Sequence, residues 1–152
     1  MARPKEQSAQ AQIVATARKH FGQDVARVSA PGGENRSSFR LHLTDRTVIA
    51  TLRPNFRRTH LEAHVLTELG RHCSDLPECL GVVGEIMFQS DVGKRRLNVE
   101  VARVERAEQL NLAAEAVSAI FRIHGAARQT ELNAIMPHLG NNRDWVLNFV
   151  DA

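Results

Sequence analysis

The stretch Pro31-Gly32-Gly33-Glu34-Asn35 holds the residue types that most directly suggest chemistry. Paired glycines let backbone N–H groups approach phosphate oxygens and tolerate positive φ, so such a loop can cradle an anion. The same residues are also good turn formers, and an ordinary hairpin loop would use them equally well. A second group is basic: Arg53, Arg57 and Arg58, then Lys94, Arg95 and Arg96, scattered rather than gathered into a tail. With a formal charge of +3 and a pI near 9.4, the surface has some affinity for anions. Six Phe, one Trp and no Tyr leave no aromatic interleaving of the kind that single-stranded nucleic acid needs, so no nucleic-acid partner is expected. Cys73 and Cys79 could close a short local disulfide, but two reduced thiols in a cytoplasmic protein is the favoured expectation. With His72 as the only nearby addition, they offer too few ligands for zinc.

These residues need a scaffold, and the hydrophobic pattern predicts one. A chain of 152 residues, 43% apolar and 24% charged, suffices for one modest domain with a real core. Every apolar run is too short to cross a bilayer, and the first seven residues lack the apolar segment of a secretory signal; no membrane partner and a cytoplasmic location are expected. The first nine or so residues are polar and are expected to fray. Ile13, Val14, Ala17 and Phe21 then recur at helical spacing, with Gly22 as a stop. Strands are expected over 25–29, 39–43 and 48–53; Phe39, Leu41 and Leu43 share one face of the second, and Pro54 closes the third. Leu61, Val65 and Leu69 mark a helix with Thr59 as N-cap and Gly70 near its end. A fourth strand is expected over 82–89, a turn at 90–94, and a fifth strand in which Leu97, Val99 and Val101 alternate, giving a second hairpin. From about Ala107 the pattern is helical, with Ala113, Val117, Ile120 and His124 lining one face; Trp145, Val146, Phe149 and Val150 again have helical spacing. The order predicts an α+β class: a five-stranded antiparallel sheet with one packed helix, followed by helices.

In this order the stretch Val28 to Leu41 resembles the first hairpin of the aminoglycoside phosphotransferase and choline kinase families, which share the kinase-like fold. Gly32, Gly33, Asn35, Phe39 and Arg40 match the phosphate-covering loop of those families. The resemblance implies a nucleotide-binding N-lobe over 25–104, preceded by an N-terminal helix over 1–24 and followed by a hinge and the helical start of a C-lobe over 105–152. It implies ATP, brought as Mg-ATP in the full enzyme, with Gly32, Gly33, Glu34 and Asn35 over the phosphates. A base on the third strand would contact the phosphates, and a helix glutamate would hold that base. Glu62 is similar to that glutamate. Arg53 is the nearest match for the base, while Thr51 occupies the position under a two-residue shift. Read without the resemblance, Arg53 and Glu62 would be a surface ion pair. The adenine would pair with the backbone around Val104, Glu105 and Arg106. The helix ending in His124 resembles the first large-lobe helix, with His124 expected as a packed helix-end residue rather than a catalyst.

The resemblance also exposes an absence. In those families the catalytic loop reads His-Gly-Asp, then Asn after four residues, and a later Asp binds metal. Here Ala126 follows His124-Gly125, and there is no second His-Gly pair. The expectation is therefore an N-terminal nucleotide-binding part of a small-molecule kinase, ending before its catalytic residues, with an unidentified hydroxyl acceptor such as an aminoglycoside or amino sugar. A catalytically inactive kinase-like module is the alternative. Self-association through the unfinished C-lobe is expected as a consequence.

Overall fold

The computed structural model describes residues 4–29, 37–93 and 95–132. Helix α1 spans Pro4–Phe21, strand β1 Arg27–Ser29, β2 Ser38–His42 and β3 Thr47–Leu52. Helix α2 spans Phe56–Gly70, β4 Cys79–Val83, β5 Ile86–Ser90, α3 Leu97–Val101 and α4 Arg106–Ala127. The strands form one antiparallel sheet in the order β1-β2-β3-β5-β4. The α+β class and the five-stranded antiparallel sheet thus match the sequence expectation, while several of the elements differ.

The period-two pattern sorts the sheet into two faces. Phe39 and Leu41 on β2, Val48 and Ala50 on β3, and Ile86 and Phe88 on β5 form a buried core with Ile13 and Ala17 of α1. The N-terminal helix is therefore part of the sheet's own core. It also begins at Pro4 rather than near Ala11. Proline suits the first helical position, where its missing N–H leaves no bond unmade. The opposite face carries Ser38, Arg40, Ile49, Thr51, Met87 and Gln89 in register across β2, β3 and β5. Helix α2 packs on β4 and β5 from this side. Two helices cover the sheet, one per face, where one was expected.

The cap of α2 is Asn55, not Thr59: the Asn55 side chain accepts from the Arg58 N–H at 3.0 Å. Thr59 lies inside the first turn, fully buried, and its hydroxyl donates to the Asn55 carbonyl at 3.0 Å. Asn55 supplies an acceptor directly after Pro54, so the helix starts one turn earlier than the apolar repeat alone suggests. The second hairpin is also displaced. The stretch 82–89 is not one strand but the turn and flanks of β4 and β5, with Val83 opposite Ile86. Gly84 takes φ +61 at the first of the two loop positions, where a two-residue hairpin needs it. Leu97, Val99 and Val101 fall in the short helix α3. Their alternation is compatible with one helical turn, and Arg95 closes it by donating to Glu100 at 2.9 Å.

Helix α4 is present, but rolled by one position. Val117 and Ile120 are 51% and 53% exposed, and Ala113 and His124 are also exposed, whereas Leu112, Ala116, Ala119, Ile123 and Ala126 turn inward. Apolar residues lie almost all round this helix, so periodicity leaves its roll open. Contacts with neighbours decide it: Arg122 pairs with Asp75, and the Gln109 amide donates to the carbonyls of Val101 and Val104 at 3.1 and 3.2 Å. Among the described residues no helix is long and apolar enough to cross a membrane. The C-terminal segment with Trp145, Val146, Phe149 and Val150 lies outside the described residues.

Candidate functional site

Arg53 follows β3 directly, just before Pro54, and its N–H still pairs with the Glu85 carbonyl at 3.0 Å. Its Nε lies 2.7 Å from Glu62 Oε2. The approach is off the N–H direction, and Nε makes no hydrogen bond, so charge holds the pair. Arg58, one turn before Glu62 on α2, donates its Nε to the other carboxylate oxygen at 3.0 Å. One carboxylate thus faces two guanidiniums, a local excess of one positive charge. Each guanidinium carries five N–H donors, more than Glu62 can take up. The pair bridging sheet and helix is about a third exposed, which leaves it open to an anion.

The Thr51 hydroxyl is 2.9 Å from the Ser38 hydroxyl, and Thr51 is 6% exposed. Arg53, not Thr51, meets the helix glutamate. A groove of about 550 Å³ opens beside this cluster, lined by Leu61, Val65, Leu69 and Met87 with Arg53 and Arg58 among its polar residues. That volume lies in the range of small-molecule sites.

Val104, Glu105 and Arg106 do not follow the fifth strand. They join α3 to α4, with Arg106 the first helical residue and the Val104 carbonyl accepting from Gln109. Because the hairpin falls earlier in the chain, the segment leaving β5 is Asp91-Val92-Gly93. Arg40 reaches it from β2: its Nε is 2.6 Å from Asp91 Oδ2, and its Nη2 is 2.9 Å from Asp91 Oδ1 and 2.7 Å from the Gly93 carbonyl. Desolvation pushes the Asp91 carboxyl up, but hydrogen bonds from Arg40 and from the Gly93 N–H outweigh it and hold the group below its ordinary value. Sequence reasoning matched Arg40 to the loop motif but missed Asp91. Strand alternation puts Arg40 on the face away from the core residues Phe39 and Leu41, and nothing local in the sequence names its partner.

His124 is solvent-exposed at the end of α4 rather than packed. Both cysteines are free; Cys73 is buried, and its thiol points toward Asp75 at 3.8 Å. The hydrogen bond from Arg122 holds the Asp75 carboxyl below the usual carboxylate range. Gly32, Gly33, Glu34 and Asn35 lie outside the described residues; in sequence they belong to the connection between β1 and β2. No protein-family model matches this chain, and comparison with curated proteins and with solved structures gave no match.

Proposed function

We propose that this chain is the nucleotide-binding part of a small-molecule kinase of the phosphotransferase type, taking ATP as Mg-ATP. The observation that carries this reading is the Arg53–Glu62 pair between the end of β3 and helix α2. A strand base held by a helix glutamate is the arrangement that grips a nucleotide's phosphates. Three features support it. Arg58 adds a second guanidinium beside the first. The glycine-bearing connection joins β1 to β2, whose Ser38 end lies opposite Thr51, near the Arg53 end of β3. From Ile49 to Arg53 the same sheet face runs about 13 Å, a length that an extended nucleoside triphosphate spans. Magnesium would come with the nucleotide, on its phosphates. Bound magnesium-phosphate would supply charge neutralisation during transfer to an acceptor hydroxyl; the chain's own contribution is to bind and orient.

A second reading, a binding module without turnover, is favoured by one observation: His124-Gly125-Ala126 lies inside α4, so the only His-Gly pair is neither a loop nor followed by an aspartate. Calorimetric titration with Mg-ATP tests both. Wild-type chain should bind; Arg53→Ala should weaken binding about ten-fold by removing a charge-assisted contact, and Gly33→Val should weaken it too. No binding by the wild type would overturn the reading. Phosphate transfer to an amino sugar would separate the kinase from the silent module.

A further inference from the structure

We propose that the groove beside Arg53 binds a carboxylate carried on an unbranched aliphatic chain, with the head on Arg53 and Arg58 and the chain along α2. The inference does not rest on the nucleotide reading, although both draw on Arg53. Helix geometry comes first. Arg58 and Glu62 are one turn apart, and Leu61, Val65 and Leu69 repeat at the same interval. Charge therefore lies at the start of this helix face, and apolar side chains occupy the rest. From Leu61 to Leu69 the helix rises about 12 Å. Met87 of β5 completes the apolar wall of the groove, whose volume is about 550 Å³. Leu61, Val65 and Leu69 are each only half-buried, so packing against the sheet leaves apolar surface along the groove still to be covered.

The charges select the head group. Glu62 stands between two guanidiniums, and these three are the only charged side chains lining the groove among the described residues. One positive charge is left over, and five N–H donors on each arginine exceed what one carboxylate accepts. Both arginines are open to a ligand, their side chains being 34% and 65% exposed. A second carboxylate neutralises the excess and meets the planar guanidinium fork with its two oxygens. A doubly charged phosphate ester without bound metal would leave one negative charge unmatched. The rest of the lining selects the body. Gln89 is the only other polar side chain among the described lining residues, and none of them is aromatic. A sugar laid along this wall would leave hydroxyls unpaired against leucine and valine, which is costly, whereas an aliphatic chain covers apolar surface with apolar surface. Met87, unbranched and adaptable, shapes itself to such a chain.

Calorimetric titration of the full chain with butanoate, hexanoate and octanoate, each below its micelle concentration, tests this. Affinity should rise about two- to four-fold for each methylene added, the gain expected from burying a CH₂ group. Octanol and octylammonium keep the chain but lose or invert the head charge, and should bind at least about ten-fold more weakly than octanoate. Arg58→Gln, at an exposed position, should weaken all three carboxylates about ten-fold and leave the chain-length trend intact. Val65→Asn should flatten that trend, and Leu69→Asn, one turn further along, serves if the first variant does not fold. Affinity independent of chain length, octanol or octylammonium binding as well as octanoate, or Arg58→Gln indistinguishable from wild type would each overturn the proposal. Binding of Mg-ATP is a separate measurement, so either reading can fail while the other stands.

Discussion

Arg40 and Arg53 share a sheet face and differ in what holds them. Arg40 is enclosed and committed to three hydrogen bonds, whereas Arg53 is a third exposed and held by charge. The first is a fixed part of the scaffold, and the second carries more N–H donors than Glu62 can take up. The Arg53–Glu62 pairing was anticipated through the resemblance of the strand end and the following helix to the phosphotransferase families, and without it only as a surface ion pair. The Arg40–Asp91 pairing was not, because its partners are 51 positions apart and nothing local links them. Both Asp91 and Asp75 have folded-state values below that of an unfolded aspartate. Their contribution to stability is complete above the unfolded value of about 3.9 and is lost as pH falls through the lower folded value. Urea midpoints measured from about pH 6 down to pH 2 should therefore fall, and the fall should be shallower in Asp91→Asn. An acid limb unchanged by that substitution would show that Asp91 is not the group responsible.

Among elements, those with one clean period were legible and those with two readings were not. β2 alternates strictly, and its apolar residues are all inside. The stretch from β4 to α3 offered a strand where a turn lies and a second strand where a helix lies, since Gly84 and the Arg95–Glu100 pair decide the matter and neither shows in hydropathy. Helix α1 docks against β4 and β5 at a close approach. His20 stacks on Phe88 with centroids 5.2 Å apart, and its Nε2 lies 3.1 Å from the Leu80 carbonyl. Beside it Gly81 adopts φ +137, and a Cβ there would meet the His20 ring at 2.6 Å. Gly81→Ala should lower stability by about 1–3 kcal/mol through backbone strain alone, with the ring clash in addition. Denaturant unfolding checks this, and a second substitution, His20→Ala, should recover only the clash. A Gly81→Ala midpoint equal to wild type would refute the account.

At the scale of the whole molecule, one surface among the described residues is conspicuously apolar. Leu110, Val117, Ile120 and Phe121 on α4 are 57%, 51%, 53% and 71% exposed. A contiguous stripe of this kind drives association. Sedimentation velocity should show a larger species growing with concentration, and Phe121→Asp should reduce it; a monomer at all concentrations would count against it. The sheet's connectivity has a further consequence, which concerns time rather than contacts. The meander β1–β2–β3 and the hairpin β4–β5 each pair neighbours in the chain, so each can close quickly. Joining them through β3 and β5 requires the intervening α2 segment to fold back, so that closure carries the larger entropic cost. Helix α1 seals the assembly through a bond between residues 60 positions apart. Substitutions at the α1 contact with Phe88 are therefore expected to act mainly on the unfolding rate, and the unfolding limb of a chevron for His20→Ala checks this.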